Sequence, residues 1–356
     1  MNNALSAPKS ICILRLSAIG DVCHALSVVQ LIQATYPECQ ITWVMGKIEA
    51  QLLGDVPGIQ VVVFDKKRGL KGMKEVWGSL RPTRFDYLLH MQVALRASLL
   101  TLGIKAKVKL GFSWMRAKEG QWLFTNRKLP KTDASHVLDN FSEFAYFLGC
   151  PKQVPRWDLA LSDEDQRLAM ELEHEHEPYI VISPAASKDE RNWLVERYAA
   201  VADHAYQLGF KVVFCGAPTD RERSLTDNIS QHMTSPCINL VGSTSLKQLT
   251  AVIGKSSVVI APDSGPAHIA TTQGVPVIGL YAHSNPMRTG PYHSLDSVVS
   301  VYEQIAEEQH GKAVDELPWG TRVKGKGLMA LISTESVIEQ LERELGRLKN
   351  KKTSSE

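Results

Sequence analysis

No two cysteines form a CxxC, and none stands with a histidine at zinc-site spacing, so the common structural zinc sites are excluded. No window approaches the roughly 20 apolar residues that a bilayer-spanning helix needs. Met1 to Ser10 has no basic start followed by an apolar stretch, so no secretory signal is expected. No internal repeat occurs at solenoid periods. Net charge is also scarce: 40 Lys and Arg against 38 Asp and Glu leave +2, which excludes any global polyelectrolyte role.

What is present fits an ordinary globular protein. The 356 residues are 44% apolar and 22% charged, enough for two domains at roughly 100–200 residues each. The six cysteines, Cys12, Cys23, Cys39, Cys150, Cys215 and Cys237, fall mostly inside apolar runs. They read as reduced core thiols of a cytosolic protein, not as a disulfide framework. The charge is unevenly placed. From Lys66 to Lys128 there are 15 Lys or Arg and 3 Asp or Glu, a local balance of +12, and the remainder carries −10. A basic face on one part of the chain suits an anionic partner. No nucleic-acid motif accompanies it, so nucleic acid is not expected.

Short β-branched runs alternate with helical patterns. Strands are expected at 11–16, 41–45, 60–64, 87–91 and 108–112, with a helix over 20–36. After a helix over 136–149, Pro151 and Pro155 break the chain. A second series of runs follows at 179–183, 211–215, 237–241, 257–261 and 275–281. The alternation predicts an α/β fold of two doubly wound parallel sheets with helices on both faces. The expected division is residues 1–155, 156–330, a C-terminal helix over 331–348 packing back on the N-terminal domain, and a frayed polar tail over 349–356. Residues 303–327 read as polar and irregular. Two such sheets imply a cleft, with ligands beyond the carboxyl ends of the strands.

Chemistry is therefore sought just after each strand. The first strand runs into Ser17-Ala-Ile-Gly20-Asp21 before a helix. Gly20 suits a tight turn. Asp21 is either a helix-capping carboxylate or a general base. This turn has no G-x-G-x-x-G, so a dehydrogenase loses support. Ala261-Pro-Asp263-Ser264-Gly265-Pro-Ala-His268 links an apolar run to a helix start. It reads as an anion site with His268 as a phosphate donor, or as a structural turn capped by Asp263. Ser187, Lys188 and Arg191 place a hydroxyl and two cations at another strand end, suited to a pyrophosphate or to solvent. Gly216-Ala-Pro218-Thr219-Asp220 ends a third strand, with Asp220 at a ribose or at a helix start.

These segments resemble family 9 glycosyltransferases, the ADP-heptose:lipopolysaccharide heptosyltransferases. Arg15-Leu-Ser-Ala-Ile-Gly-Asp-Val-Cys-His24, Gly216-Ala-Pro218 and Asp263-Ser-Gly-Pro-Ala-His268 carry the resemblance, which runs from about Ile11 to Leu345. It implies the GT-B architecture, with two Rossmann-like domains facing a cleft, the acceptor on the N-terminal one and the nucleotide sugar on the C-terminal one. It implies Asp21 as catalytic base. Ser187, Lys188, Arg191, Gly216, Asp220, Thr244, Asp263, Ser264, Gly265 and His268 would hold the donor, with Asp220 at the ribose and Thr244 near the base pocket. Ser17, Gly20, His24, Arg116 and Lys118 would face the acceptor. Tyr281-Ala-His283-Ser-Asn-Pro286 departs from the commoner Tyr-Gly-Pro-x-Asp-Pro loop, and Ala186 stands where a hydroxyl is familiar.

The implied activity is inverting transfer of a heptose from ADP-heptose to the Kdo or heptose of the lipopolysaccharide inner core. No metal site and no cofactor are expected, and no Asp-x-Asp motif lies near the donor residues. The basic N-terminal half would favour peripheral contact with the anionic inner leaflet from the cytoplasmic side. The alternatives are a family 9 transferase of another nucleotide sugar or acceptor, a nucleotide-sugar epimerase of the same fold, and a binding module without catalysis.

Overall fold

The computed structural model describes residues 7–174 and 177–353. The chain divides into two compact units, Met1–Ala160 and Leu161–Glu356.

The first unit holds β1 (Ser10–Leu14), α1 (Ile19–Thr35), β2 (Gln40–Gly46), α2 (Lys47–Leu53), β3 (Ile59–Phe64), α3 (Gly69–Leu80), β4 (Arg84–His90), α4 (Leu95–Leu100), β5 (Lys105–Gly111), β6 (Arg127–Lys128) and α5 (Val137–Phe147). The strands form one parallel sheet in the order β3-β2-β1-β4-β5-β6. Ile11, Cys12, Ile13 and Leu14 are all buried, as expected for a central strand covered on both faces. On one face Cys12, Leu14, Val44 and Leu88 meet Met73, Val76 and Leu80 of α3 and Ala97 and Leu100 of α4. The segment after Pro151 stays with this unit. Trp157 Nε1 donates to the Cys23 carbonyl (2.7 Å), and the Gln30 side chain pairs with the Asp158 backbone.

The second unit repeats the plan with α6 (Asp163–His174), β7 (Tyr179–Ile182), α7 (Val195–Gln207), β8 (Lys211–Phe214), α8 (Asp220–His232), β9 (Ile238–Asn239), α9 (Leu246–Lys255), β10 (Val259–Pro262), α10 (Gly265–Thr272), β11 (Val277–Tyr281), α11 (Pro286–Thr289), β12 (Val299–Ser300), α12 (Tyr302–His310) and α13 (Thr334–Thr353). Its sheet runs β12-β11-β10-β7-β8-β9, again parallel. Each sheet reverses its strand order once, between β1 and β4 and between β7 and β10. Such switch points open crevices at the carboxyl ends of the strands.

Several expectations are corrected. The C-terminal helix does not give its apolar stripe to the N-terminal domain. Val337, Leu341 and Leu345, spaced four apart, are buried in the second unit's own core with Tyr198, Val201 and Ala202 of α7. Trp193 Nε1 and Arg197 Nη1 donate to carbonyls of Ile332 and Ala330 (3.0 and 2.7 Å), fixing the helix's approach. The polar tail is helical through Thr353, and its last residues lie outside those described. The stretch taken as irregular contains α12, which buries only Tyr302, Ile305 and Ala306. So few apolar positions hid its period. Gly311, at φ 64, ends it in the left-handed conformation that glycine adopts at low cost. Gly20 is not a turn residue. It is buried inside the first turn of α1, which starts at Ile19.

Candidate active site

At the carboxyl end of β1 the chain turns through Leu16, Ser17 and Ala18 into α1, with a cis Ser17–Ala18 peptide bond. Asp21 lies in the first turn of the helix. Its Oδ2 accepts the Ala18 N–H (3.1 Å) and an ion pair from Arg15 Nη2. The capping role and a free carboxylate role thus meet in one residue, because Oδ2 carries these contacts and one-third of the side chain stays exposed. Arg15 is itself held. Nη1 donates to the Met91 carbonyl (2.6 Å), and the guanidinium lies 5.1 Å from the centre of the Phe141 ring. Sequence reading left Arg15 without a role. Its place as the last charged residue of an apolar run was the available signal.

Gln92, after β4, joins this turn to the sheet. Its Oε1 accepts the Leu16 N–H (2.7 Å), and its Nε2 donates to Ser17 Oγ (3.4 Å). One helical turn beyond Asp21, His24 is buried with its ring edge-on to His136, 5.3 Å between centres. His136 Nδ1 accepts the Leu138 N–H and caps α5. Arg116 Nη2 donates to the Ala134 carbonyl nearby (3.0 Å), whereas Lys118 is exposed. Glu49, in the first turn of α2 against Gly46, is a buried carboxyl at the next strand end. Burial raises its pKa above the usual glutamate value.

In the second unit the switch point gathers Arg191 and Asp263. Arg191 is buried in a short 3-10 turn after β7, and its Nη1 lies 3.9 Å from Asp263 Oδ2. Asp263 Oδ2 also accepts the Ser284 hydroxyl (2.7 Å). It makes no cap for α10, so the structural-turn reading of Asp263 is corrected. Ser264 stands at the N-cap position, yet its buried Oγ has no hydrogen-bond partner among the described residues. A buried hydroxyl without a partner beside helix N–H groups leaves donors for an anion. Gly265 begins the helix, and His268 is buried within it.

The departing loop at His283 serves this turn. His283 Nε2 donates to the Glu190 carbonyl (2.9 Å), tying the β11 loop to the Arg191 turn. Arg221 of α8 donates to the Ala186 carbonyl (2.6 Å) and pairs with Asp189. Asn192 Oδ1 accepts the Ala186 N–H. The loop carrying Ser187 and Lys188 is therefore braced from two sides, although both of those side chains are exposed and Lys188 lies 3.6 Å from Glu190. At the end of β8, Asp220 is exposed. The carboxylate placed at the turn is that of Glu222, whose Oε2 accepts the Ala217 N–H (2.7 Å) and would meet a Cβ on Gly216 at 2.7 Å. Thr219 caps α8 instead of Asp220. Thr244 is half-buried just before α9. Among the described residues no group of three His, Cys, Asp or Glu is placed to hold a metal.

The family model for glycosyltransferase family 9 (heptosyltransferase) matches residues 73–317. The lipopolysaccharide core heptosyltransferase OpsX of Haemophilus influenzae is 52% identical over 337 residues, covering 95% of this chain and 97% of that protein. Among solved structures, the ADP-heptose lipopolysaccharide heptosyltransferase II of E. coli superposes with a TM-score of 0.73 at 20% identity, covering 96% and 99% of the two chains. The E. coli heptosyltransferase WaaC with ADP gives 0.72 at 20%, covering 94% and 99%. At that identity the structural likeness speaks to the fold, which is GT-B. The twin parallel sheets, the family match and the identity to OpsX agree: this chain is a glycosyltransferase and belongs to family 9, the heptosyltransferases.

Proposed function

We propose that the enzyme transfers a heptose from ADP-heptose to the lipopolysaccharide inner core, with inversion at the anomeric carbon. The observation that carries this reading is the 52% identity to a lipopolysaccharide core heptosyltransferase over nearly the whole chain. The charged groups at the two switch points supply a mechanism for it.

Asp21 takes the proton of the acceptor hydroxyl as that oxygen bonds to the anomeric carbon. The bond to the departing phosphate oxygen breaks with oxocarbenium character at the sugar. The leaving ADP then carries the developing charge. Arg191 and Lys188 supply cations, while Ser264, Gly265 and His268 supply donors at the start of α10. Asp263 orients Arg191 and is itself fixed by Ser284. Ser187 and Gly216 line the same strand ends. The ribose lies by the β8 turn, where Glu222 now competes with Asp220 for the role, and the base lies toward Thr244. On the first unit Ser17, Gly20, His24, Arg116 and Lys118 receive the acceptor. The anionic acceptor suits the +12 balance between Lys66 and Lys128. The enzyme works in the cytoplasm, in peripheral contact with the anionic inner leaflet.

The test is a transfer assay with purified protein, ADP-heptose and truncated lipopolysaccharides ending in Kdo or in heptose, read by mass. A single heptose added to one of these acceptors is expected. Transfer only from another nucleotide sugar, or conversion of the donor with no acceptor present, would overturn the reading.

A further inference from the structure

The loop between β5 and β6, which also carries Arg116 and Lys118, presents apolar side chains that the proposed transfer chemistry does not use. Trp114 is 62% exposed and Leu123 67% exposed, with Met115 and Trp122 exposed beside them. The two indole rings lie 5.1 Å apart, and the Lys128 ammonium sits 4.7 Å over the Trp114 ring. Large apolar side chains exposed together mark a contact surface. Their surroundings are basic. Arg96, Lys118, Arg127, Lys128 and Lys131 are all exposed. Glu119 is the only acid between residues 112 and 131, and its carboxylate accepts the Leu95 N–H at the start of α4 (2.7 Å). Leu95 is exposed too and extends the apolar area.

The place of this loop in the sheet matters. All strands of the first unit are parallel, so the loop leaves the same edge of the sheet as the Asp21 turn. A buried amide connects the two. Gln121 Nε2 donates to the carbonyls of His90 and Gln92 (2.8 and 3.2 Å), and the Gln92 side chain holds Leu16 and Ser17. The exposed loop is thus anchored to the backbone that presents Asp21.

We infer that the Trp114–Trp122 loop is the membrane anchor of the enzyme, seating its indoles at the headgroup level of an anionic bilayer. This deepens, and rests on, the reading of the acceptor as a membrane-borne glycolipid. Tryptophan prefers the membrane interface because its ring is apolar while its N–H seeks a polar partner. The exposed cations of this part of the chain supply attraction to anionic headgroups. Aromatic and basic residues also suit single-stranded nucleic acid. Here Leu95, Met115 and Leu123 offer no stacking face for a base and are suited to acyl chains, which favours the bilayer.

The experiment is flotation of the full-length protein with vesicles of phosphatidylglycerol and phosphatidylethanolamine, or of phosphatidylcholine alone. The native protein, the double variant Trp114→Ser/Trp122→Ser and the single variant Leu123→Asp are compared, each checked for a native thermal transition. Native protein should float with the anionic vesicles and be released by high salt. Each variant should bind at least about tenfold more weakly, with unchanged transfer to a delipidated, water-soluble acceptor. Equal flotation of native and variant proteins, or no flotation of the native protein, overturns the anchor. So does loss in the variants of oligonucleotide binding with vesicle binding intact. Loop-dependent flotation without any heptosyl transfer would sink the proposed activity and leave the anchor standing.

Discussion

Arg15 grips Asp21 through one nitrogen of its guanidinium while the other is committed to the Met91 carbonyl. The arginine plane also rests over Phe141. The carboxylate proposed as base is therefore held by a cation that cannot swing away without breaking two further contacts. An ammonium at this position keeps the charge and loses the fork. Arg15→Lys is expected to lower kcat about tenfold with KM for the donor little changed, and Arg15→Ala to lower it further. Steady-state kinetics with both variants check this. A loss confined to KM would make Arg15 a binding residue.

Asp21→Asn separates base from cap. The amide oxygen can still accept the Ala18 N–H, so the helix start is retained, but it cannot take a proton. Turnover should fall by about 10²–10⁴ while ADP affinity by calorimetry stays as in the native protein. If turnover persists, the carboxylate serves only the start of α1, whose loss costs about 1 kcal/mol.

The acid at the β8 turn is settled by two matched variants. Glu222→Gln removes the carboxylate that receives the Ala217 N–H, and Asp220→Asn alters an exposed residue. ADP affinity should drop about tenfold in the first and stay within about twofold in the second. The opposite order would return the ribose to the first residue of α8.

Arg191→Met should weaken ADP binding by about tenfold or more, since it removes the buried cation beside Asp263. Titration calorimetry reads this directly. Unchanged affinity would place the diphosphate elsewhere.

Acid should act on the first unit through His90. This side chain is fully buried against the Ser98 hydroxyl, and burial, then Arg15 and Lys109, push its pKa down to about 3. In the unfolded chain it protonates near 6.5. Between these values falling pH loads a proton on the unfolded chain alone, so stability falls by up to about 1.4 kcal/mol per pH unit. Urea midpoints of native protein and His90→Gln at about pH 7 and about pH 5 should show a smaller acid loss in the variant. Equal losses would assign the acid sensitivity to other groups.

Both sheets were legible in the sequence because central parallel strands need continuous apolar runs rich in β-branched residues, and 11–14, 179–182 and 259–261 are such runs. Asp21, Arg191 and Asp263 were legible for a related reason. Each lies in the connection that follows an apolar run, so each falls beyond a strand's carboxyl end. Arg15 and His283 were not, because their roles depend on partners distant in sequence, the Met91 and Glu190 carbonyls. Glu222 was not because its role depends on the fold of its own turn, which brings it back onto the Ala217 N–H. The two-residue strands β6 and β12 exist through pairing with a neighbour, and no propensity announces them. The helical period of α13 was plain, but an apolar stripe does not say which core it will enter.

That last point changes what can be made from the gene. With Val337, Leu341 and Leu345 buried among residues of their own unit, a chain begun at Leu161 retains the wedge that closes its interior. Such a half-length polypeptide should be expressible by itself and small enough for isotope-edited spectra. Competitors of the nucleotide could then be screened against it without preparing any glycolipid.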